Sequence, residues 1–130
     1  MNIKLVLLRS GEDVVTVLSE MVVTNPDGKE ITVGYTFKDP YTVKLLAGNN
    51  NPESEEDNVP FRLSLSPWMP LSKDDMIPVV SDHVVSITEP IDDLISVYKE
   101  GIEKRDQRRK EREIIEDSAA SRGNDSSDSD

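Results

Sequence analysis

The chain has no cysteine and a single histidine among its 130 residues. Disulfide bonds, thiolate nucleophiles and cysteine-based zinc sites are therefore excluded, and one histidine cannot build a multi-histidine metal centre. The six glycines never cluster into a phosphate-binding loop, a dinucleotide fingerprint or a nucleophile elbow. No apolar run approaches the ~20 residues that a membrane-spanning helix requires. We therefore expect no cofactor, no bound metal and no insertion into a membrane.

What the chain does have is acidic charge and a modest size. It carries 26 acidic and 15 basic residues, a formal net charge of -11, in 14.6 kDa. This length predicts one compact domain, and the charge repels polyanions globally. Residues 1–8 hold a lysine and six apolar residues, too short a run for a signal peptide. We expect a cytoplasmic protein.

Short apolar clusters rich in Val, Ile, Leu, Tyr and Phe run through about residue 88, separated by Gly, Pro, Asn and Asp. This pattern is typical of strands joined by tight turns. Strands are predicted over 3–8, 14–23, 30–46, 59–66 and 83–88. Asp39-Pro40 should bend the third strand rather than end it. The turn at residues 24–29 is the clearest local signal, because Pro26 presets φ and Gly28 can adopt positive φ.

The alternation in the third strand predicts which of its residues are buried. Ile31, Val33, Tyr35 and Phe37 should face the core, since successive strand residues point to opposite faces. Residues 48–58 contain no apolar side chain and are expected to form a surface loop. Short strands with tight hairpins and almost no helix before residue 90 predict a small, strongly bent sheet or barrel. Residues 68–82 mix apolar and polar residues without a clear period, so we interpret them as an excursion packed on the surface of this barrel.

At Pro90 the apolar period changes from two to about 3.6, which predicts a helix over residues 90–117. Its apolar stripe consists of Ile91, Leu94, Ile95, Tyr98 and Ile102. This stripe either packs on the chain's own barrel or contacts another subunit. Residues 118–130 are mostly Ser, Asp, Gly, Asn and Ala, and they predict a disordered acidic tail.

Three stretches resemble the Sm-like family. Residues 4–18, reading KLVLLRSGEDVVTVL, resemble the strand, glycine-containing turn and strand of its first motif, and residues 84–87 resemble its closing strand. The run Pro67-Trp68-Met69-Pro70, followed by residues 85–90 and a helix, is similar to Sm-like proteins encoded by marine cyanobacterial myoviruses. The resemblance covers roughly residues 3–102.

The resemblance implies a mainly β fold: a small, strongly bent, five-stranded antiparallel Sm-like barrel over residues 1–89, followed by the helix and the tail. It further implies that edge strands pair between copies to form a closed homo-oligomeric ring, which binds RNA or another viral or host protein in the cytoplasm of the host cell. The chain departs from cellular Sm proteins in beginning with a strand and in lacking the arginine-glycine pair of the last hairpin.

Candidate RNA-binding residues lie in two places. The family's second hairpin loop holds an aspartate and an asparagine that grip a base, whereas the corresponding loop here offers Asn25 and Asp27 in a different local order. This leaves Asn25 and Lys29 as the candidates that the resemblance implies. The second set is a basic patch in residues 104–112, where six cations and two anions give a local net charge of +4. Phosphate backbones favour such a patch, but acidic neighbours also suit a simply solvated helix. The full candidate set is Asn25, Lys29, Lys104, Arg105, Arg108, Arg109 and Arg112. The aromatic residues favour core packing over base stacking.

Two further clusters were weighed for chemistry. His83 lies near Asp74, Asp75 and Asp82, yet adjacent strand residues point apart and no nucleophile accompanies them, so a surface histidine is the simpler interpretation. The acidic residues at 53, 55, 56 and 57 lack the glycine and spacing of a calcium loop. The sequence therefore predicts a protein that is not an enzyme: a homo-oligomeric scaffold or binding module, RNA-associated, or alternatively a protein-facing viral adaptor.

Overall fold

A computed structural model describes residues 1–47 and 61–127, with side chains described for residues 1–47 and 62–115. The described chain is mainly β, with one long helix at its C-terminal end. Its elements are β1 (Ile3–Leu8), β2 (Asp13–Thr24), β3 (Glu30–Ala47), β4 (Phe61–Pro67), β5 (Met76–Val80), a 3₁₀ turn (Ser81–His83), β6 (Val84–Thr88) and α1 (Asp92–Ser127).

The strands form one antiparallel sheet in the order β4-β3-β2-β1-β6, with β5 paired to β3 beside this path. β5 pairs with residues 34–38 of β3, which also pair with β2, so β5 must lie on the opposite edge of β3. β4 pairs with residues 41–47 further along β3. The path is open, because β4 and β6 stand at its two ends and are not paired with each other.

β3 is a single bent strand, as the sequence predicts. Its bend lies at Asp39, a buried residue that has a φ of 52° although it is not a glycine. The Asp39 N–H donates to the Asp75 carbonyl at 2.7 Å, and the Trp68 N–H donates to the Pro40 carbonyl at 3.0 Å. These bonds satisfy the backbone where proline interrupts the ladder, so the strand bends and continues.

The core lies where the first three strands meet β5. Val6, Leu8, Val14, Leu18, Phe37 and Val79 form a buried apolar cluster. Trp68, between its two prolines, is half-buried and closes this cluster with its ring centroid 5.6 Å from that of Phe37. The interpretation of the aromatic residues as packing groups is confirmed at these positions.

The start of α1 is anchored by one tyrosine. Leu94 and Tyr98 are buried, and the Tyr98 hydroxyl donates to the Asp39 carbonyl at 2.9 Å, with the Lys38 carbonyl at 3.2 Å. The Tyr98 ring also meets the edge of Tyr41 at 5.9 Å. Ile91, predicted as part of the apolar stripe, is 56% exposed because it precedes the first helical residue.

The structure corrects two expectations about the strands. Ile31 and Val33 are 46% and 40% exposed rather than buried, because the β2–β3 hairpin extends past the core and its register shifts at Met21/Val22. The excursion over residues 68–82 contains a strand, β5, which the sequence pattern hid because Pro78 interrupts it. A proline is tolerated there because β5 is an edge strand.

The chain divides into two compact units, Met1–Tyr98 and Lys99–Asp130. α1 continues to Ser127, into the segment for which the sequence predicts a disordered tail. Extending an existing helix fixes one residue per hydrogen bond, whereas starting one fixes several, so a helix can run into polar sequence. Residues 128–130, the end of the predicted tail, lie outside the described residues. Within the described part of the chain, no helix is apolar over a length that would cross a bilayer.

Candidate interaction surfaces

The β2–β3 turn contains the first pair of predicted RNA-binding residues. The Asn25 side-chain oxygen accepts hydrogen bonds from the backbone N–H groups of Asp27 at 3.1 Å and Lys29 at 2.9 Å. Gly28, with a φ of 83°, donates its N–H to the Asn25 carbonyl at 3.0 Å. Asn25 therefore builds the turn, and its side-chain oxygen already has two donors. Lys29 is exposed.

The second predicted set lies on α1. Lys104, Arg108, Arg109 and Arg112 are exposed, whereas Arg105 is half-buried and its guanidinium donates to the Asp106 carboxylate at 3.0 Å and 3.3 Å. These cations belong to the unit Lys99–Asp130, while Asn25 and Lys29 belong to the unit Met1–Tyr98. The two predicted sets are thus parts of different units.

Charges are largely, but not completely, separated by sign around α1. With about 100° between successive residues, the cations at 104, 105, 108, 109 and 112 fall within an arc of about 140°. We call these five residues the basic arc. Glu100, Glu103, Asp106, Glu111 and Glu113 lie on the remaining side and form the acidic arc, which also contains Lys99 and Lys110. The composition of residues 104–112 predicts the basic patch, and the spacing of the acidic residues around the helix is the signal that could have predicted its acidic counterpart.

In the candidate acid–base cluster, His83 and Asp75 both accept hydrogen bonds through their backbone carbonyls. His83 ends the 3₁₀ turn, and its carbonyl accepts the Arg9 N–H at 2.8 Å. The Asp75 carbonyl accepts the Asp39 N–H at the bend in β3. Among the side chains described, those of residues 1–47 and 62–115, there is no group of three or more from His, Asp and Glu arranged to hold a metal ion. The acidic residues 53–57 lie outside the described residues.

The two ends of the sheet carry apolar side chains that the core does not cover. On β6, Ile87 pairs with the fully buried Val6 yet is 37% exposed, and Val85 is 60% exposed. At the other end, Leu63 and Leu65 of β4 are half-buried, and Leu45, which pairs with Leu63, is 68% exposed. The apolar surface of the sheet therefore continues beyond the core to both unpaired edges.

A second exposed apolar surface was missed by sequence reasoning. The outer part of the β2–β3 hairpin exposes five large apolar side chains: Met21, Val22, Val23, Ile31 and Val33. The signal that could have found it is the run from Met21 to Val23, where apolar residues stop alternating with polar ones. Such a run predicts a strand with apolar side chains on both faces.

The chain was compared with known protein families. Residues 1–103 match the profile of a family described as "Family of unknown function (DUF6561)". The match covers the whole sheet and the first turns of α1. No curated protein matches the chain.

Proposed function

The chain belongs to this family of unknown function, and we propose that it is a non-enzymatic, Sm-like scaffold whose copies assemble edge to edge into a closed ring that serves as a binding module. The proposal combines the sequence resemblance with the open sheet. The observation that carries it is that a bent path of five strands ends in two edges, β4 and β6, each with one paired neighbour among the described strands.

Unpaired edges are unfavourable in a stable protein because their N–H and C=O groups can pair with any other chain. Here the two edges are different strands on opposite ends of the path. Pairing β4 of one copy with β6 of the next is therefore a head-to-tail contact, which closes into a ring when the rotation between copies permits. Such a contact satisfies the β4 and β6 edges of every copy at once.

The apolar residues at the edges support the same assembly. Ile87 lies beside the buried Val6 but remains partly exposed, and Leu63 and Leu65 are only half-buried. Joining the two edges brings these residues together and removes their apolar surface from water, which contributes about 25 cal/mol per Å². The contact thus offers both backbone hydrogen bonds and a continuation of the core.

A charge introduced on one edge tests this assembly. Val85→Lys puts an ammonium group on β6, where the residue is already largely exposed in a single copy, so the copy should fold normally and the ring should dissociate. Val23→Lys is the matched control, because Val23 is also exposed but lies on the β2–β3 hairpin. Multi-angle light scattering should show loss of the oligomer for Val85→Lys alone. Equal masses for both variants and the native protein would contradict the edge contact.

RNA is the ligand that the resemblance implies, and the exposed cations of α1 with Lys29 are the groups that would contact phosphates. Binding of single-stranded RNA at low ionic strength should then weaken steeply as salt is added. The variant Arg108→Gln/Arg109→Gln/Arg112→Gln should reduce it, with Lys73→Gln as a control outside α1. Fluorescence anisotropy with a labelled oligonucleotide measures both effects.

The alternative is an adaptor that binds another viral or host protein and no nucleic acid. Two observations favour it: the net charge of -11 repels RNA, and the Asn25 oxygen is committed to its own turn. Absence of salt-dependent RNA binding by the assembled protein would decide for the adaptor.

A further inference from the structure

The charged segment of α1 carries mainly positive charge on one side and mainly negative charge on the opposite side. Lys104, Arg108 and Arg112 are spaced by four residues and so lie along one side of the helix. Glu103, Asp106 and Glu113 are spaced by three and seven and lie along the opposite side. All six side chains are exposed. One surface of this helix is thus complementary in charge to another surface of the same helix.

We propose that α1 of one copy packs alongside α1 of the next, with the basic arc of the first against the acidic arc of the second. The occupant of each arc is therefore a second copy of this chain. The inference rests on the proposed ring and follows its adaptor alternative, because the basic arc is then occupied by the neighbouring copy rather than by RNA. It assigns to the helix a role in subunit contact that the strand edges alone do not require.

The arrangement of charge suits a head-to-tail contact. In a two-fold dimer residue i contacts residue j and j contacts i, so two helices match basic with acidic side chains only where one boundary between the arcs faces the partner. A head-to-tail contact instead uses one arc towards each neighbour, and every helix in a ring then has both arcs occupied. Cyclic assembly therefore uses the whole of both arcs, whereas two-fold pairing uses one boundary between them.

The composition of the segment explains why charge must carry the contact. Between Glu103 and Glu113 every residue except Gln107 is charged, so no apolar stripe is available there for packing. Exposed ion pairs each contribute about 0.2–1 kcal/mol, and they are screened at separations beyond about 10 Å at 0.1 M salt. The helix contact should thus fix the register of neighbours and respond to salt, while the strand edges supply most of the affinity.

Charge reversal and charge exchange test the proposal. The first variant reverses the basic arc, Lys104→Glu/Arg108→Glu/Arg112→Glu, and the second reverses the acidic arc, Glu103→Lys/Asp106→Lys/Glu113→Lys. The third combines all six substitutions, which restores both the complementarity and the native net charge. At about 50 mM salt each single reversal should raise the protein concentration for half-dissociation about tenfold, and the combination should return it to within about threefold of the native value.

The outcomes separate this inference from the ring itself. Equal assembly of all three variants would overturn the helix contact and leave the ring standing, whereas a native chain that stays monomeric would overturn both. Loss of RNA binding by the basic-arc variant with unchanged assembly would also overturn the helix contact and assign the arc to RNA. Circular dichroism of each variant checks that the helix is formed.

Cross-linking supplies a second readout, since the chain has no cysteine of its own. Copies carrying Arg108→Cys are co-expressed with copies carrying Glu103→Cys and treated with a short bismaleimide. Links between the two kinds of copy are expected, because the basic arc faces the acidic arc. A predominance of links between two Arg108→Cys copies would show like arcs facing each other and overturn the proposal.

Discussion

The two compact units of the chain are held by different kinds of interaction. Among the side chains described, the ten that are apolar and buried all belong to the unit Met1–Tyr98, which also contains the strand ladders. In the other unit, none of the side chains described between Lys99 and Ile115 is buried. The first gains its stability from burial, the second from helix propensity and charge. The difference teaches that a substitution in the first unit should change the free energy of unfolding strongly. The stability of the second unit should depend mainly on salt and on contacts with neighbouring copies.

The largest expected effect is a cavity in the core of the first unit. Phe37 is fully buried against Trp68, so Phe37→Ala should lower the free energy of unfolding by about 3–5 kcal/mol. Ile114→Ala in the second unit, where the side chain is exposed, should change it by less than about 0.5 kcal/mol. Urea denaturation measures both. Similar losses for the two variants would break the distinction between the units.

The same substitution, glycine to alanine, should have opposite effects on stability in the two units. A Cβ at Gly34 would lie 2.7 Å from the Val79 carbonyl oxygen, so Gly34→Ala must displace β5 and should destabilise the protein by about 1–3 kcal/mol. Gly101 lies in α1 with open space around the added atom, so Gly101→Ala should stabilise the helix by about 0.5–1 kcal/mol. Thermal unfolding measures the first, and helical circular dichroism the second. A stabilising Gly34→Ala would show that β5 does not approach β3 closely.

Removing one hydroxyl should loosen the anchor of α1. Tyr98→Phe removes the hydroxyl that donates to the Asp39 carbonyl at the bend of β3, at an expected loss of about 1–2 kcal/mol in the free energy of unfolding. Tyr35→Phe is the control, because the Tyr35 hydroxyl takes part in none of the described hydrogen bonds. Denaturation should separate the two variants, and hydrogen exchange should quicken near Asp39 in Tyr98→Phe alone. Equal stabilities would mean that packing of the Tyr98 aromatic side chain alone holds the start of α1.

The smallest effect concerns the β2–β3 turn. Asn25→Ala removes the acceptor of the Asp27 and Lys29 N–H groups in an exposed turn, so a loss of about 0.5–1 kcal/mol is expected. Asn25→Asp keeps an acceptor oxygen and should retain most of the stability. If Asn25→Ala instead left stability unchanged and reduced RNA binding, Asn25 would be a ligand-binding residue rather than a turn residue.

Much of the sheet was predictable because its signals are local. The strands β1 and β6, the glycine turns and the bend at Asp39-Pro40 follow from residues next to each other in the chain. β5 was not predicted, because Pro78 interrupts its pattern and because its close approach to β3 occurs at Gly34, far away in sequence. The exposure of Ile31 and Val33 also depends on residues far away in sequence, because those residues determine where the core ends along the hairpin.

For the candidate surfaces the same limit applies. The basic patch was readable from its composition, and the opposing acidic arc from its spacing. The role of Asn25 in its own turn required the geometry of two N–H groups. The unpaired edges of β4 and β6 required the strand order, because a single sequence reveals strands but not which strand ends the sheet.

The mass of the full-length protein in solution tests the central claim most directly. Light scattering at low salt should give one discrete species of about five to seven copies of the 14.6 kDa chain. Its mass should stay constant over a tenfold range of protein concentration. A species of 14.6 kDa at every concentration would contradict the ring and show that the edges of β4 and β6 remain unpaired between copies.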